Sequence, residues 1–253
     1  MFTAAFWGLV QGLTEFLPIS SSGHLVLVPA LLDMEEPDLA TSAVLHLGTL
    51  AAVIWYYRGD LVKLLRFRSD PDARRVAWLL AIGTIPAGIA GLTLEGPLED
   101  AFAEPWIAAA ALIVTGLVLA ASTLVPVGSR CLEEGRWHDA VVVGVAQALA
   151  LVPGISRSGM TITAGLTRGL DRLESARYAF LLAVPSIAGA GLLETLDLAD
   201  AGGLEASVLV GVAVAALSGY LAIAGLVRLL ASRGLAPFAV YCVGFGTVAW
   251  ILV

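Results

Sequence analysis

The chain has 253 residues, 58% hydrophobic and 14% charged, with a formal net charge of −7 and a mean hydropathy of +0.89. Soluble domains run at about 45–50% apolar and about 25% charged, so this composition excludes an ordinary soluble domain and describes a polytopic membrane protein. No basic stripe is present that would hold nucleic acid.

Met1 leads into FTAAFWGLVQGLTEF without a basic n-region, so no cleaved signal peptide is expected. The first apolar run, 1–32, is interrupted at Gln11–His24, QGLTEFLPISSSGH, which sets a carboxylate, three serines and a histidine among Phe, Trp, Leu and Val. Glu15 is the only acid between Met1 and Asp33. Runs able to cross a bilayer, about 17–25 residues, follow at 39–57, 76–94 and 105–127, and later at 176–196, 207–230 and 235–253. Between these sets lies a second interrupted run, 139–167, carrying Gln147–Thr163, QALALVPGISRSGMTIT. Aligning Gln11 with Gln147 puts Ile19 on Ile155, Ser20 on Ser156, Ser22 on Ser158 and Gly23 on Gly159. Ser21 then faces Arg157, and His24 faces Met160. Two copies of one element are expected, one with a nucleophile kit and one with a single cation. Cys131 in a charged loop and Cys242 in an apolar helix imply neither a disulfide nor a metal site.

The charges between runs give the topology. Thirteen of the fourteen basic residues fall in Arg58–Arg75, Arg130–Arg136, Arg168–Arg177 and Arg228–Arg233, whereas Asp33–Asp38, Glu95–Glu104 and Glu194–Glu205 hold no Lys or Arg. By the positive-inside rule the basic loops are cytoplasmic and the acidic ones face out. Segment 139–167 then starts and ends inside, so it must turn back, and Pro153–Gly154 is the natural turn. If PISSSG turns likewise, the chain is one transmembrane domain, all-α, made of two inverted-topology halves, about 1–127 and 137–253. Each half is a re-entrant helical hairpin followed by three spans. LLAIGTIPAG at Leu79–Gly88 and LLAVPSIAGA at Leu181–Ala190 sit in corresponding places. Inverted repeats with broken helices meet near the midplane around a polar site.

Arg157 is the one basic residue outside the loops, and a charge at bilayer depth costs about 2.5–3.5 kcal/mol on insertion scales. It is expected to be paired and functional. The plainer reading is an ion pair to Glu15 that ties the copies together; the functional one is anion recognition, since a guanidinium fork suits phosphate oxygens. Half-helix N-termini favour an anion too, and Ser156, Ser158 and Thr161 add neutral donors. On the other turn, Glu15 can take a proton, Ser20, Ser21 and Ser22 offer hydroxyls, and His24 can be acid, base or nucleophile. Gln11 and Glu15, four apart, share a helix face. His46 reads as a hydrogen-bonded packing residue, His138 as solvated, and Glu174 with Arg177 as a surface pair. Trp7, Trp55, Tyr56, Tyr57, Trp106 and Trp137 suit interfacial belts, and Gly83, Gly88, Gly91, Gly189 and Gly191 suit close helix packing.

The pattern Q-x3-E with FLPISSSGH, and then PGISRSGMT, resembles the undecaprenyl-diphosphatase family of integral membrane enzymes. The likeness extends through LHLGTLAAV and the LLAVPS segment. It implies removal of the terminal phosphate of a C55 polyprenyl diphosphate on the outer side of the plasma membrane, which regenerates a lipid carrier for cell-wall and surface glycan assembly. By position it makes Glu15 and His24 the acid–base pair and Ser21 the nucleophile, with His24 as its base, although spacing alone does not decide between Ser21 and His24. Arg157 joins this catalytic set. Gln11, Ser20, Ser22, Gly23, Gly154, Ser156, Ser158 and Thr161 are the expected substrate-binding residues. The first motif position is Glu or Gln in the family, and here Gln11 leaves one carboxylate instead of two. A divalent cation, Mg²⁺ or Ca²⁺, is implied, with Glu15 the one ligand in view besides the phosphates. The competing hypothesis is a polyprenyl-phosphate transporter or flippase, with Glu15 coupling protons and Arg157 clamping substrate. Small-residue faces permit a homodimer.

Overall fold

Four short helices arranged as two hairpins carry the motifs, and longer helices surround them. The computed structural model describes residues 1–253 except 36, 38 and 201–205, and at 39, 40, 43, 192–200, 206 and 207 it describes the backbone alone. The first hairpin is α1 (Phe2–Phe16) and α2 (Ser21–Leu32); the second is α8 (Trp137–Leu149) and α9 (Arg157–Thr167). After the first come α3 (Leu39–Tyr56), α4 (Arg58–Leu64), α5 (Pro71–Thr93), α6 (Glu95–Phe102) and α7 (Pro105–Ser122). After the second come α10 (Arg172–Asp200), α11 (Ala206–Arg233) and α12 (Ala236–Leu252).

Each of the six uninterrupted runs is helical, and the chain is an all-α polytopic membrane protein. Among the described residues, Pro71–Thr93, Pro105–Ser122 and Val208–Arg233 are long and apolar enough to cross a membrane. The hairpin helices are not. The longest, α1, has 15 residues, which at about 1.5 Å per residue reaches ~22 Å, short of a hydrocarbon core of about 30 Å. Their chain must therefore turn within protein. The side chains of Glu36, Asp38, Glu194 and Glu205, on which part of the acidic-loop assignment rests, lie outside the described residues.

Local chemistry sets the breaks. Leu17, forced extended by the following Pro18, has φ −66° and ψ 141° and ends α1. Ser20 and Ser156 then cap α2 and α9 in the same manner. Ser20 Oγ accepts from the Gly23 N–H at 3.2 Å and Ser156 Oγ from the Gly159 N–H at 3.1 Å. Each cap also pairs with the serine two residues on, Ser20 with Ser22 and Ser156 with Ser158, both at 3.2 Å. The backbones differ, however. One turn places its positive φ at Ser20 (68°), the other at Gly154 (92°). A Cβ on Gly154 would overlap the Ala108 carbonyl. A Gly154→Ala variant is therefore expected to lose at least the ~1–3 kcal/mol of a strained non-Gly residue, read as a lowered melting temperature in detergent.

Helices from 1–127 pack on helices from 137–253. Helix α1 packs on α11, α8 on α5, and α7 on α12. Glycines permit the approach: Gly8 lies on Gly211, Gly12 on Ser218, Gly144 on the Gly83 carbonyl and Gly116 on Val243. Of the glycines expected in this role, Gly83 and Gly191 are close-packed: a Cβ there would stand 3.0 Å from the Tyr178 hydroxyl and 3.1 Å from Leu47. A Cβ on Gly88 or Gly189 would meet nothing within 4 Å, and one on Gly91 would only just reach Leu151; these three lie on outward faces. Trp7 also departs from the belt expectation. It is 2% exposed beside Leu45 and Ala215, while Trp55, Trp106 and Trp137 are exposed.

Ion pairs gather where the basic loops meet. Asp139 accepts from Arg130 Nη2 at 2.9 Å, Arg168 Nε at 2.8 Å and the Arg136 N–H at 3.0 Å, which bolts together the open ends of the second hairpin. His138 is half-exposed, 3.5 Å from Asp139. Arg177 is more than half of a surface pair. Besides Glu174 at 3.0 Å it holds Asp60 at 2.7 Å and Glu133 at 2.9 Å, so it ties α10 to α4 and to the loop before α8.

Candidate active site

The two turns meet. Ser158 Oγ donates to the Leu17 carbonyl at 3.1 Å, and Gly23 lies against the Gly154 backbone. Thr115 of α7 pins the second turn by donating to the Gly154 carbonyl at 2.9 Å and accepting from the Ser156 N–H at 3.1 Å. At the junction stands Glu15, its side chain 2% exposed.

Four helices converge on this carboxylate. Arg157 Nη2, from α9, forms an ion pair with Oε1. Oε2 accepts from Ser21 Oγ of α2 at 2.5 Å and from Gln11 Nε2 of α1 at 3.0 Å. His46 Nε2 of α3 is 3.8 Å from the same oxygen. A carboxylate this buried is tolerated because an opposite charge and hydrogen-bond donors surround it. The Arg157 side chain remains 26% exposed, so its guanidinium still offers donors toward an incoming anion. The first-turn N–H groups of α2 and α9 lack intrahelical acceptors and add positive dipole ends at the same junction. A nucleophile on a base, beside a cation, can transfer a phosphoryl group.

The expected residues are thus mostly brought together: Glu15, Ser21, Gln11 and Arg157 in direct contact, Ser20, Ser22, Gly23, Gly154, Ser156 and Ser158 in the turns beneath them. Thr161 faces its own helix, donating to the Arg157 carbonyl at 2.7 Å, and supports Arg157 from behind. His24 is placed differently from the expectation. Its Nδ1 lies 2.8 Å from the Ser20 carbonyl and its Nε2 2.7 Å from the Tyr241 hydroxyl. A carbonyl only accepts, so Nδ1 carries the proton, and both ring nitrogens are engaged away from Ser21. Stacking on Phe245 at 5.0 Å and on Tyr241 holds the ring against α12. Glu15, not His24, is the titratable side chain in contact with Ser21.

Three participants carried too little signal in sequence. His46 is a partner of Glu15 and not only a packing residue; a histidine at bilayer depth was its clue. Tyr241 reaches His24 from 217 positions away, and Thr115 reaches the second turn from α7. Gln147, the counterpart of Gln11, is bound to Ser186 Oγ at 3.1 Å, whereas Gln11 Oε1 is buried without a partner.

An apolar groove of about 500 Å³ opens beside the first turn, between α1, α2 and α12, with Leu13, Leu17, Ile19, Phe238 and the His24–Tyr241 pair in its walls. A second cavity, about 240 Å³, is charged, surrounds Arg177 and contains none of the motif residues.

A divalent cation finds limited protein support. Among the described residues no group of three or more His, Cys, Asp or Glu could hold a metal. The orphaned Gln11 Oε1 and the Glu15 carboxylate are nevertheless hard oxygens of the kind Mg²⁺ or Ca²⁺ shares with substrate phosphates, using few protein ligands. The residues fit an ion shared with the diphosphate, not one caged by protein.

Residues 4–248 match the family model described as bacitracin resistance protein BacA. The chain is similar to the undecaprenyl-diphosphatase of Myxococcus xanthus, 43% identical over 97% of this chain and 86% of the relative. It is similar to that of Thermomicrobium roseum, 45% identical over 99% and 97%, and to that of Trichlorobacter lovleyi, 44% identical over 96% and 93%. With agreement of this depth over nearly its full length, the chain belongs to the BacA family of bacitracin resistance proteins.

Proposed function

We propose that this protein hydrolyses a polyprenyl diphosphate, undecaprenyl diphosphate as in its named relatives, to the monophosphate and inorganic phosphate. The reaction would recycle the lipid carrier for surface glycan assembly. The observation that carries this reading is the chain Ser21–Glu15–Arg157, a hydroxyl on a buried carboxylate beside a guanidinium. The protein works in the plasma membrane as two inverted halves, 1–127 and 137–253, with the site reached from the outer face. The matched serine caps and exchanged helix partners support that arrangement.

Arg157 and the two helix N-termini hold the terminal phosphate and stabilise the charge that develops in transfer. Ser21 Oγ attacks the terminal phosphorus while its proton passes to Glu15 Oε2, which it already contacts. The bond from phosphorus to the bridging oxygen breaks, and the polyprenyl monophosphate leaves. Water then attacks the phosphoserine, which releases inorganic phosphate and restores Ser21. When bound, a Mg²⁺ or Ca²⁺ ion would be held by the Glu15 carboxylate and Gln11 Oε1 and would supply neutralisation of phosphate charge. Ser20, Ser22, Ser156 and Ser158 shape the turns that present these groups.

The lipid tail takes the apolar groove, which starts at the Leu17–Ile19 turn and runs along α1. Filling it with Leu13→Trp is expected to raise KM for a C55 diphosphate by roughly tenfold, about 1.4 kcal/mol or the worth of ~55 Å² of apolar burial. KM for a short-chain diphosphate should stay unchanged.

Phosphate release from C55 diphosphate by the purified protein in detergent, with Mg²⁺ or with a chelator, tests the reading. Turnover that needs the cation and the lipid diphosphate supports it. Binding of lipid that depends on Arg157, without turnover, contradicts it and favours a transporter.

A further inference from the structure

Two consecutive residues of the last helix grip the first turn. The Tyr241 hydroxyl lies 2.7 Å from His24 Nε2, and Cys242 Sγ donates to the Pro18 carbonyl at 3.5 Å. His24 passes the first of these contacts on. Its Nδ1 donates to the Ser20 carbonyl at 2.8 Å, so its Nε2 is the acceptor and takes the Tyr241 proton. Stacking on Phe245, with ring centroids 5.0 Å apart, fixes the plane of the imidazole. Two hydrogen bonds thus run in series from α12, through a buried ring, to one backbone carbonyl of the turn.

That carbonyl belongs to the planar peptide unit joining Ser20 to Ser21. Its direction sets the direction in which Ser21 leaves the turn. Ser20 sits at φ 68° and ψ 103°, a conformation that a residue with a Cβ keeps only where its surroundings hold it. The second turn makes no such demand on its serine. Ser156 has φ −74°, the positive φ falls on Gly154, and the residue aligned with His24 is Met160, which has no N–H to offer. The brace therefore exists only in the turn whose serine is strained and whose next hydroxyl rests on Glu15.

We propose that Tyr241 is a positioning residue for the reaction: through His24 it holds the Ser20–Ser21 peptide so that the Ser21 hydroxyl stays on Glu15. The inference rests on the phosphatase reading above, with Ser21 as nucleophile. Tyr241 itself stands off from the reacting groups. Its hydroxyl is taken by His24 and its ring lines the apolar groove. Its helix is well placed for the task. Helix α12 packs on α7, and α7 carries Thr115, which pins the second turn at Gly154 and Ser156. One helix pair thus braces both turns, and with them the approach of Ser21 and Arg157 to the shared carboxylate.

The test compares wild type, Tyr241→Phe, His24→Leu and the double variant for kcat and KM of C55-diphosphate hydrolysis. Melting temperatures and nitrogen NMR of the three histidines, in detergent, accompany the kinetics. Tyr241→Phe keeps the ring and its share of the groove wall and removes only the hydroxyl. One neutral hydrogen bond is worth up to about tenfold, and misplacing a reacting group costs rate more than binding. We expect Tyr241→Phe to lower kcat about tenfold with KM and melting temperature kept. The Nε2 signal of His24, identified by its loss in His24→Leu, should shift in the same variant. The double variant should be no slower than His24→Leu, because Tyr241 acts only through His24.

Wild-type kcat in Tyr241→Phe overturns the proposal. So does a raised KM with kcat unchanged, which would make Tyr241 a lipid contact. Losses that multiply in the double variant overturn it as well, as does a fall in kcat that follows the melting temperature while the Nε2 signal stays in place. If wild type itself releases no phosphate, the phosphatase reading fails, and the role of Tyr241 falls with it.

Discussion

A Glu15→Gln variant is expected to lose about 10²–10⁴-fold in kcat for phosphate release while remaining folded. The amide keeps the shape of the carboxylate and can still bond Ser21 and Gln11, but it cannot take the serine proton. A serine hydroxyl is a weak nucleophile until a neighbouring base removes that proton. Because Ser21 contacts Glu15 directly at 2.5 Å and His24 does not reach it, the loss should be far larger than that of His24→Gln. In His24→Gln the broken bonds are those to Ser20 and Tyr241 on the groove wall. Steady-state kinetics of the two variants, with melting temperatures as control, separates Glu15 from His24 as the base. Equal losses would return His24 to that role.

The second large effect is expected at Arg157, and it is a double one. Arg157→Ala should lower kcat by about 10²–10³-fold through loss of the phosphate clamp, the scale seen when one charge-stabilising donor is removed. It should also destabilise the protein, because Glu15 is left buried with its charge unpaired. Breaking a buried pair costs about 3–5 kcal/mol, and the low end applies here since a quarter of the Arg157 side chain is exposed. The two consequences can be pulled apart. In Glu15→Gln/Arg157→Met neither charge remains, so the melting temperature should recover most of the loss while activity stays absent. Recovery of activity together with stability would make the ion pair a mere tie between the hairpins.

The fold was legible where hydrophobicity and punctuation speak loudly. Six uninterrupted runs became helices, and the interruptions at Pro18 and Pro153–Gly154 became turns that meet. The repeat QALALVPGISRSG announced paired serine caps, and these recur in the same form at Ser20–Ser22 and Ser156–Ser158. Local spacing could place Gln11, Glu15 and Ser21 in one site because they are joined by one helix and one turn. The difference in backbone, with the positive φ at Ser20 in one turn and at Gly154 in the other, left no trace in the aligned letters.

What stayed hidden depended on partners remote in sequence. His24 looked like a base because it follows SSSG, yet its ring is claimed by Tyr241 and Phe245 from the last helix. His46 looked like filling because nothing near it in sequence is charged. Its significance comes from Glu15, delivered across the α1–α3 packing. Gly83 and Gly191 pack as expected, but Gly88, Gly91 and Gly189 do not, for the same reason. Gly8, Gly12 and Gly144 meet helices remote in sequence, and no count of small residues on one helix says which face will find a partner.

The measurement closest to the central claim is acid quench of wild-type protein turning over C55 diphosphate, followed by mass spectrometry of the peptide that contains Ser21. The expected result is a phosphoryl group on Ser21 that appears within one turnover and is absent from Glu15→Gln. A phosphoryl group on His24, or full turnover by Ser21→Ala with no phosphoenzyme in wild type, would contradict it.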